Sequence, residues 1–176
     1  QSVTFRTAGF AALPQEHLSA ASCLFGCILM FIGGSPVGTA GGIKTVTFFL
    51  VACNALSYIR ERDQVVTWKR AVSEEAMRKA SAIFFISALT TLSFTLILMT
   101  TGPISLTDAL YETTSALATV GLTRSLTPTL SFAGRWIIIL AMYLGRIGPI
   151  SMAIAFTKPR GDKNNVRFAE GKFIVG

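Results

Sequence analysis

Charged and titratable side chains are scarce in this sequence. Charged residues make up 14% of its 176 positions, and it contains one histidine and three cysteines. Cys23, Cys27 and Cys53 lie in apolar runs without the spacing of metal ligands, which favours packing roles. No pair of carboxylates lies inside an apolar run. The composition therefore argues against a metal centre and an acid–base active site. It predicts a chain that is not an enzyme and holds no cofactor of its own.

Hydrophobic residues are abundant instead. They make up 51% of the sequence. Residues 80–101 carry no formal charge, and at about 1.5 Å per residue a helix of that length crosses a hydrocarbon core of about 30 Å. Residues 131–157 are also long enough to span, although they contain Arg135, Arg146 and Pro149. The predicted fold class is an all-α membrane protein.

The positive charge lies in two places. The net charge is +7, with six basic residues between positions 58 and 80 and five more from Lys158 onward. Both segments flank apolar runs, so the positive-inside rule places them in the cytoplasm. Nucleic-acid binding is disfavoured, because aromatic residues are sparse there and acids dilute the first cluster. The prediction is a multi-pass protein of the cell membrane, in contact with the lipid bilayer and without a nucleic-acid partner.

The two cytoplasmic segments fix how many times the chain crosses between them. If Lys79 and Lys158 both lie inside, the chain between them crosses the membrane an even number of times. We expect residues 80–101 to cross outward and residues 131–157 to cross back inward. Between them a short helix over residues 107–118 is predicted, with Thr107 or Asp108 as its N-cap. It is too short to span. We expect it to enter the membrane and return as a pore loop.

The chain also repeats itself. "TAGF" at Thr7 matches "TVGL" at Thr119, and Gly9 and Gly121 differ in number by 112. Gly33 of "FIGG" and Gly145 of "YLGR" keep the same offset. Repeats in membrane proteins commonly build a site at their shared axis. The pattern predicts repeated units, each of which runs through Thr-x-Gly, a polar loop, an apolar helix and a glycine break.

The stretch "GGSPVGTAGGIKT" interrupts an apolar region. Residues 18–58 as one helix would reach about 60 Å, twice the membrane thickness. Two full spans would separate the two Thr-x-Gly segments, so we expect one crossing that is interrupted by glycines in the inner half of the membrane. The stretch is interpreted as a movable constriction. A rigid break is one alternative. A phosphate-binding loop is another, although Ile43 separates Gly42 from Lys44.

Four motifs in order, "RTAGF", "FIGGSPVGTAGGIK", "ATVGLT" and "MYLGRIGP", resemble the potassium-translocating subunits of the Trk, Ktr and HKT superfamily. The Ktr branch, with its KtrB-like membrane subunit, is the most similar, because the tail "FAEGKFIVG" also resembles it. The resemblance implies four helix, pore loop, helix units around one pore, of which this chain holds the C-terminal half. Residues 1–58 would be the filter loop and interrupted inner helix of the third unit, and 59–79 a cytoplasmic basic linker. Residues 80–157 would be the complete fourth unit, and 158–176 a cytoplasmic tail.

The resemblance also implies partners and ions. These are the N-terminal half of the pore, a second copy in a homodimer, and a cytosolic nucleotide-binding regulatory ring of the RCK type. K⁺ is the implied transported ion, with Na⁺ left open as a coupling or activating ion. The alternative function is a membrane enzyme or nucleotide-binding protein that uses the glycine loop as a phosphate cradle.

In a carbonyl-lined filter, successive carbonyl groups must point at one axis. This requires a backbone conformation that is unfavourable for residues with a Cβ, which explains glycine at positions 9 and 121. The preceding threonines add hydroxyl oxygens, and the pore helix directs its negative end to the site. Acids near the outer mouth, Glu16, Asp108 and Glu112, could concentrate cations. The predicted ion-binding filter comprises Thr7, Ala8, Gly9, Phe10, Thr119, Val120, Gly121 and Leu122.

Arg146 is the other informative position. By the offset of 112 it corresponds to Gly34, so it should lie beside the glycine loop. A guanidinium inside a span costs about 2.5–3.5 kcal/mol, so it should face water or a partner such as loop carbonyls. Either a gating or a purely structural role fits. The predicted gate comprises Gly33, Gly34, Gly38, Gly41, Gly42 and Arg146.

Overall fold

The computed structural model describes residues 2–36, 41–61, 65–67 and 70–148. In these ranges the chain is mostly helical. The helices are α1 (Ala20–Phe31), α2 (Thr45–Ile59), α3 (Glu74–Met99), α4 (Leu106–Leu117) and α5 (Phe132–Ile147). Single 3₁₀ turns lie at Gln15–His17 and Thr127–Thr129, and β1 (Val66–Thr67) pairs antiparallel with β2 (Arg70–Ala71). The predicted helical class is therefore correct.

Serine residues determine where four of the helices begin. In each case the serine hydroxyl accepts a hydrogen bond from the backbone N–H three residues later, which satisfies a donor that the helix leaves open. The capping residues are Ser19, Ser73, Ser105 and Ser131. The predicted cap of α4 at Thr107 or Asp108 is therefore wrong, since Ser105 caps this helix and Asp108 lies inside its first turn.

Helix α3 is long and apolar enough to cross a membrane, judged by length and composition. It begins at Glu74 rather than at Ala80, because Ser73 caps it and the polar first turns are stabilised by ion pairs. Glu75 lies 2.6 Å from Lys79, one turn along the helix. Within the described ranges, α1 and α2 are shorter apolar helices.

The apolar region between residues 20 and 59 is interrupted at the predicted place. Helix α1 ends at Phe31 and α2 begins at Thr45. Two backbone hydrogen bonds join the ends of the interruption: Ile43 N–H donates to Phe31 O at 3.0 Å, and Thr45 N–H donates to Gly34 O at 3.2 Å. The two helix ends are thus held side by side. Gly38 and residues 149–176 lie outside the described residues.

Helix α4 lies between two apolar clusters. One joins it to α1 and contains Phe5, Cys23, Cys27, Met30, Tyr111, Ala118, Val120 and Leu122. The other joins it to α3 and α5 and contains Leu98, Ala109, Ala116, Leu130, Ile138 and Ala141. The burial of α4 on both sides places its C-terminal end at the centre of the described structure.

Large apolar side chains cover the outer faces of the helices. On α3 these are Phe85, Leu89, Leu92 and Leu96, and on α5 they are Phe132, Trp136, Ile139, Leu140 and Tyr143. Exposed apolar surface of this extent is typical of helices that face lipid or further protein.

Candidate functional site

The two Thr-x-Gly segments have the same backbone conformation. We refer to residues 7–10 as the first segment and to residues 119–122 as the second. In the first, Thr7 and Gly9 have φ of 64° and 76°; in the second, Thr119 and Gly121 have φ of 56° and 84°. A threonine in the left-handed region is strained, and such strain persists only where the surroundings hold it. The repeat in the sequence is therefore also a repeat in conformation.

Backbone hydrogen bonds hold each segment in this shape. In the first segment, the N–H groups of Ala8 and Gly9 both donate to Thr4 O at 3.2 Å. In the second, Val120 N–H donates to Ser115 O at 2.9 Å. These bonds turn the amides inward toward the preceding helix or turn.

The two segments lie against each other. A Cβ built on Gly9 would lie 2.3 Å from the carbonyl oxygen of Val120, whereas nothing lies within 4 Å of a Cβ built on Gly121. The structure therefore brings both predicted groups of four residues to one place. The carbonyl oxygen of Phe10 has a partner within the chain, because it accepts a hydrogen bond from Thr4 Oγ1 at 2.6 Å.

The C-terminal end of α4 points at the second segment. The helix ends at Leu117, Ala118 is its C-cap, and the segment begins at the next residue. The last turn contains no basic residue. Because a helix C-terminus carries roughly half a negative charge, this arrangement favours a cation beside Thr119.

The end of the glycine loop contacts the start of the second segment. A Cβ on Gly41 would lie 2.3 Å from Thr119 Oγ1 and 2.4 Å from Ala118 O, so no larger residue fits without a shift. Gly33 contacts the same part of the loop, since its Cβ would lie 2.1 Å from Gly41 O. Of the predicted gate residues, Gly33, Gly41 and Gly42 thus lie close to one another.

The last turn of α4 is also approached from α5. A Cβ on Gly145 would lie 2.2 Å from Leu117 O, which allows the two backbones to meet. Arg146 follows directly, in the last turn of α5, and is exposed. The predicted arginine thus follows a residue that contacts α4, and its own role stays a prediction.

The acids that the sequence suggested as cation attractors have local partners instead. Glu16 accepts a hydrogen bond from Ser125 at 2.9 Å. Asp108 accepts from Ser105 at 2.6 Å and lies 3.4 Å from Arg124. Glu112 is 4% exposed and accepts from Thr127. These carboxylates stabilise the turns around the second segment. A hydroxyl donor does not neutralise a carboxylate, so their part in concentrating cations stays a prediction.

One contact was missed by the sequence reasoning altogether. Tyr111, in the middle of α4, donates a hydrogen bond from its hydroxyl to Gln15 Oε1 at 2.9 Å, and both side chains are buried. The two residues are far apart in the sequence and share no motif. Neither residue has a local sequence signal that points to the other.

The family profile of TrkH, described as a cation transport protein, matches residues 1–167. This chain belongs to the TrkH family. The resemblance noted from the motifs is thus confirmed, as is the prediction of a transport protein rather than an enzyme. Membership also makes it a membrane protein.

Relatives of this TrkH-family chain are named as potassium uptake proteins. The Ktr system potassium uptake protein B of Bacillus subtilis strain 168 is 35% identical over all of this chain and 39% of its own length. That of Vibrio alginolyticus is 36% identical over all of this chain and 38% of its own length. The chain spans about two fifths of the length of these relatives.

A solved structure has the same fold. The potassium transporter TrkH from Vibrio parahaemolyticus matches with a TM-score of 0.69 and 22% sequence identity, over 88% of this chain and 35% of that one. At this identity the likeness concerns the fold alone. It confirms the helical fold predicted from the sequence.

Proposed function

We propose that the full protein takes up K⁺ across the cell membrane, through a pore to which this chain contributes two carbonyl-lined segments. The observation that carries the proposal is the contact between residues 7–10 and 119–122, which share left-handed residues at the same alternate positions. The names of the relatives support K⁺ as the ion. The alternative phosphate cradle has no comparable support, because the family consists of transport proteins.

The ion would lose its hydration water at these segments. Carbonyl oxygens of Thr7, Ala8 and Gly9 on one side and of Thr119 and Val120 on the other replace part of that water without adding net charge. Threonine hydroxyls and the C-terminus of α4 add further negative potential. Two segments enclose the ion only in part. The remaining ligands would come from the part of the protein outside this sequence, in line with the four-unit arrangement.

We also propose that the glycine loop is the gate. Its support is the position of Gly41 against Ala118 O and Thr119 Oγ1, directly at the inner end of the second segment. A backbone at this place obstructs an ion that leaves the filter, and its withdrawal opens the path. Arg146 stabilises the closed position through its charge, which repels a cation and attracts loop carbonyls.

We propose the topology and the assembly from the positions of the basic segments and from the family resemblance. Residues 1–58 form the filter loop and inner helix of the third pore unit, and residues 80–157 form the complete fourth unit. The basic segment 59–79 and the tail 158–176 face the cytoplasm. The full protein crosses the membrane several times, pairs as a homodimer and binds a nucleotide-binding ring of the RCK type. Na⁺ acts as a coupling or activating ion, if any such ion is needed.

Uptake of Rb⁺, a K⁺ substitute, and of Na⁺ by cells that express the full-length protein tests the proposal. Gly121→Ser places a side chain at φ 84° with nothing within 4 Å, so it changes the backbone and not the packing. We expect loss of the preference for Rb⁺ over Na⁺. Gly102→Ser is the matched control, because its surroundings are also open and its φ is ordinary. An unchanged ratio in Gly121→Ser would contradict the proposed filter.

A further inference from the structure

The hydrogen bond between Tyr111 and Gln15 joins the surroundings of the two segments. Tyr111 lies on α4, behind the second segment, and Gln15 lies in the 3₁₀ turn that follows the first. The donor is the phenol hydroxyl and the acceptor is Gln15 Oε1, at 2.9 Å. Gln15 Nε2 in turn donates to Leu13 O at 2.6 Å. A chain of two bonds therefore runs from α4 to the backbone beyond the first segment.

Both side chains are removed from water. Tyr111 is 0% exposed and Gln15 4%. If one partner is removed, the polar atom of the other is left buried without a hydrogen bond. The loss of stability is then larger than for the same bond at the surface, where water replaces the missing partner. The bond is therefore a strong constraint on the distance between α4 and residues 13–15.

The ring of Tyr111 also lies in an apolar cluster that includes residues of the second segment and one residue that precedes the first. This cluster contains Phe5, just before the first segment, and Val120 and Leu122 of the second. At the far side, Gly9 lies against the carbonyl of Val120. The relative position of the segments is thus fixed at two points, one at their contact and one behind them at the tyrosine.

We infer that Tyr111 and Gln15 are positioning residues that set the separation of the two segments and thereby the discrimination between K⁺ and Na⁺. The inference rests on the proposed filter. Discrimination depends on the number and placement of carbonyl ligands, and a change in the separation of two ligand-bearing segments alters both. The pair touches no ion itself and acts only through the backbone that it holds.

The test uses the full-length protein in cells that depend on it for K⁺ uptake. Tyr111→Phe removes the hydroxyl and keeps the ring, and Gln15→Met removes the acceptor at similar length. We expect each to lower the ratio of Rb⁺ to Na⁺ uptake severalfold, because a shift of the ligand-bearing segments weakens the discrimination between the two ions. Tyr58→Phe is the matched control, because Tyr58 is 81% exposed. Uptake is divided by the amount of protein in the membrane.

The double variant Tyr111→Phe, Gln15→Met separates positioning from general damage. If the two side chains act as one unit, the double variant changes the ratio no more than either single one does. Additive changes, or lower uptake at a constant ratio, would overturn the inference. Should Tyr111→Phe fail to accumulate, Gln15→Met breaks the same bond from the other side and decides the matter.

Gly121→Ser is measured in parallel to keep the two proposals apart. If it changes the ion ratio and the Tyr111 and Gln15 variants do not, the positioning role fails and the proposed filter stands. If none of the variants changes the ratio, the filter itself is wrong.

Discussion

The first and second Thr-x-Gly segments share a backbone but not an environment. Residues at equivalent positions, 112 apart, have closely similar positive φ values. Their side chains differ: Leu122 is 4% exposed, whereas its equivalent Phe10 is 82% exposed. Leu122 is buried because α1 packs over it, and among the described residues nothing covers Phe10 in the same way. The motif thus determines the local conformation, while the burial of the segment depends on the neighbouring unit.

The largest effect is expected at the contact between the segments. Gly9→Ala places a Cβ on a left-handed residue, which costs about 1–2 kcal/mol, and this Cβ also meets Val120 O. Gly121→Ala has the conformational cost alone. Rb⁺ uptake by the full-length protein should therefore fall to background in Gly9→Ala and only in part in Gly121→Ala. Equal losses in the two variants would contradict the contact.

Burial gives the next prediction. Leu122→Ala should lower the free energy of unfolding by about 2–5 kcal/mol, as in other apolar cores, measured as a fall in the melting temperature of the purified full-length protein. Phe10→Ala is the equivalent substitution in the first segment. If the rest of the protein covers Phe10, its substitution has a cost of the same order; if Phe10 faces lipid or water, the melting temperature stays nearly the same.

The end of the glycine loop contacts the second segment through Gly41, so different substitutions test the proposed gate and the proposed filter. Gly33→Ala disturbs the loop internally through Gly41 O, and Gly41→Ala disturbs its contact with Thr119. Both should raise uptake severalfold or weaken its control. Only Gly41→Ala should also change the ratio of Rb⁺ to Na⁺. Gly102→Ala, with open surroundings, should behave as the unaltered protein.

The smallest effect concerns an ion pair that the first segment lacks. Arg124 lies 3.4 Å from Asp108, and its equivalent in the first repeat is Ala12, which carries no charge. Since Asp108 is about one third exposed, Asp108→Asn should cost about 1 kcal/mol or less. Melting curves at low and high salt give the check, because the difference between the two proteins should shrink as salt screens the pair.

Much of the fold could be predicted because its signals are local. The length of the uncharged apolar run predicts α3. The apolar region that contains α1 and α2 is too long for one span and has glycines in its middle, which predicts the break between these two helices. The conformational likeness of the two segments follows from threonine and glycine at matching positions. These features depend on residues that are close together in the sequence.

The remainder depends on choices that the sequence does not rank. Ser105, Thr107 and Asp108 are all good N-caps, so the start of α4 could not be decided in advance. The start of α3 was placed too late because apolar length alone ignores a capping serine and a polar first turn. The bond from Tyr111 to Gln15 joins distant residues of ordinary type, one on α4 and the other in the 3₁₀ turn before α1, and no local pattern relates them.

Gly145 lets the main chain of α5 meet the main chain at the end of α4, since a Cβ at this position would lie 2.2 Å from Leu117 O. Side chains of the two helices pack together beside this contact, among them Leu117 and Ile138. In a close-packed interior a displacement is transmitted to the neighbouring atoms and is not absorbed. Any displacement of the last turn of α5, which contains Arg146, would therefore be felt at Leu117, two residues before the second segment.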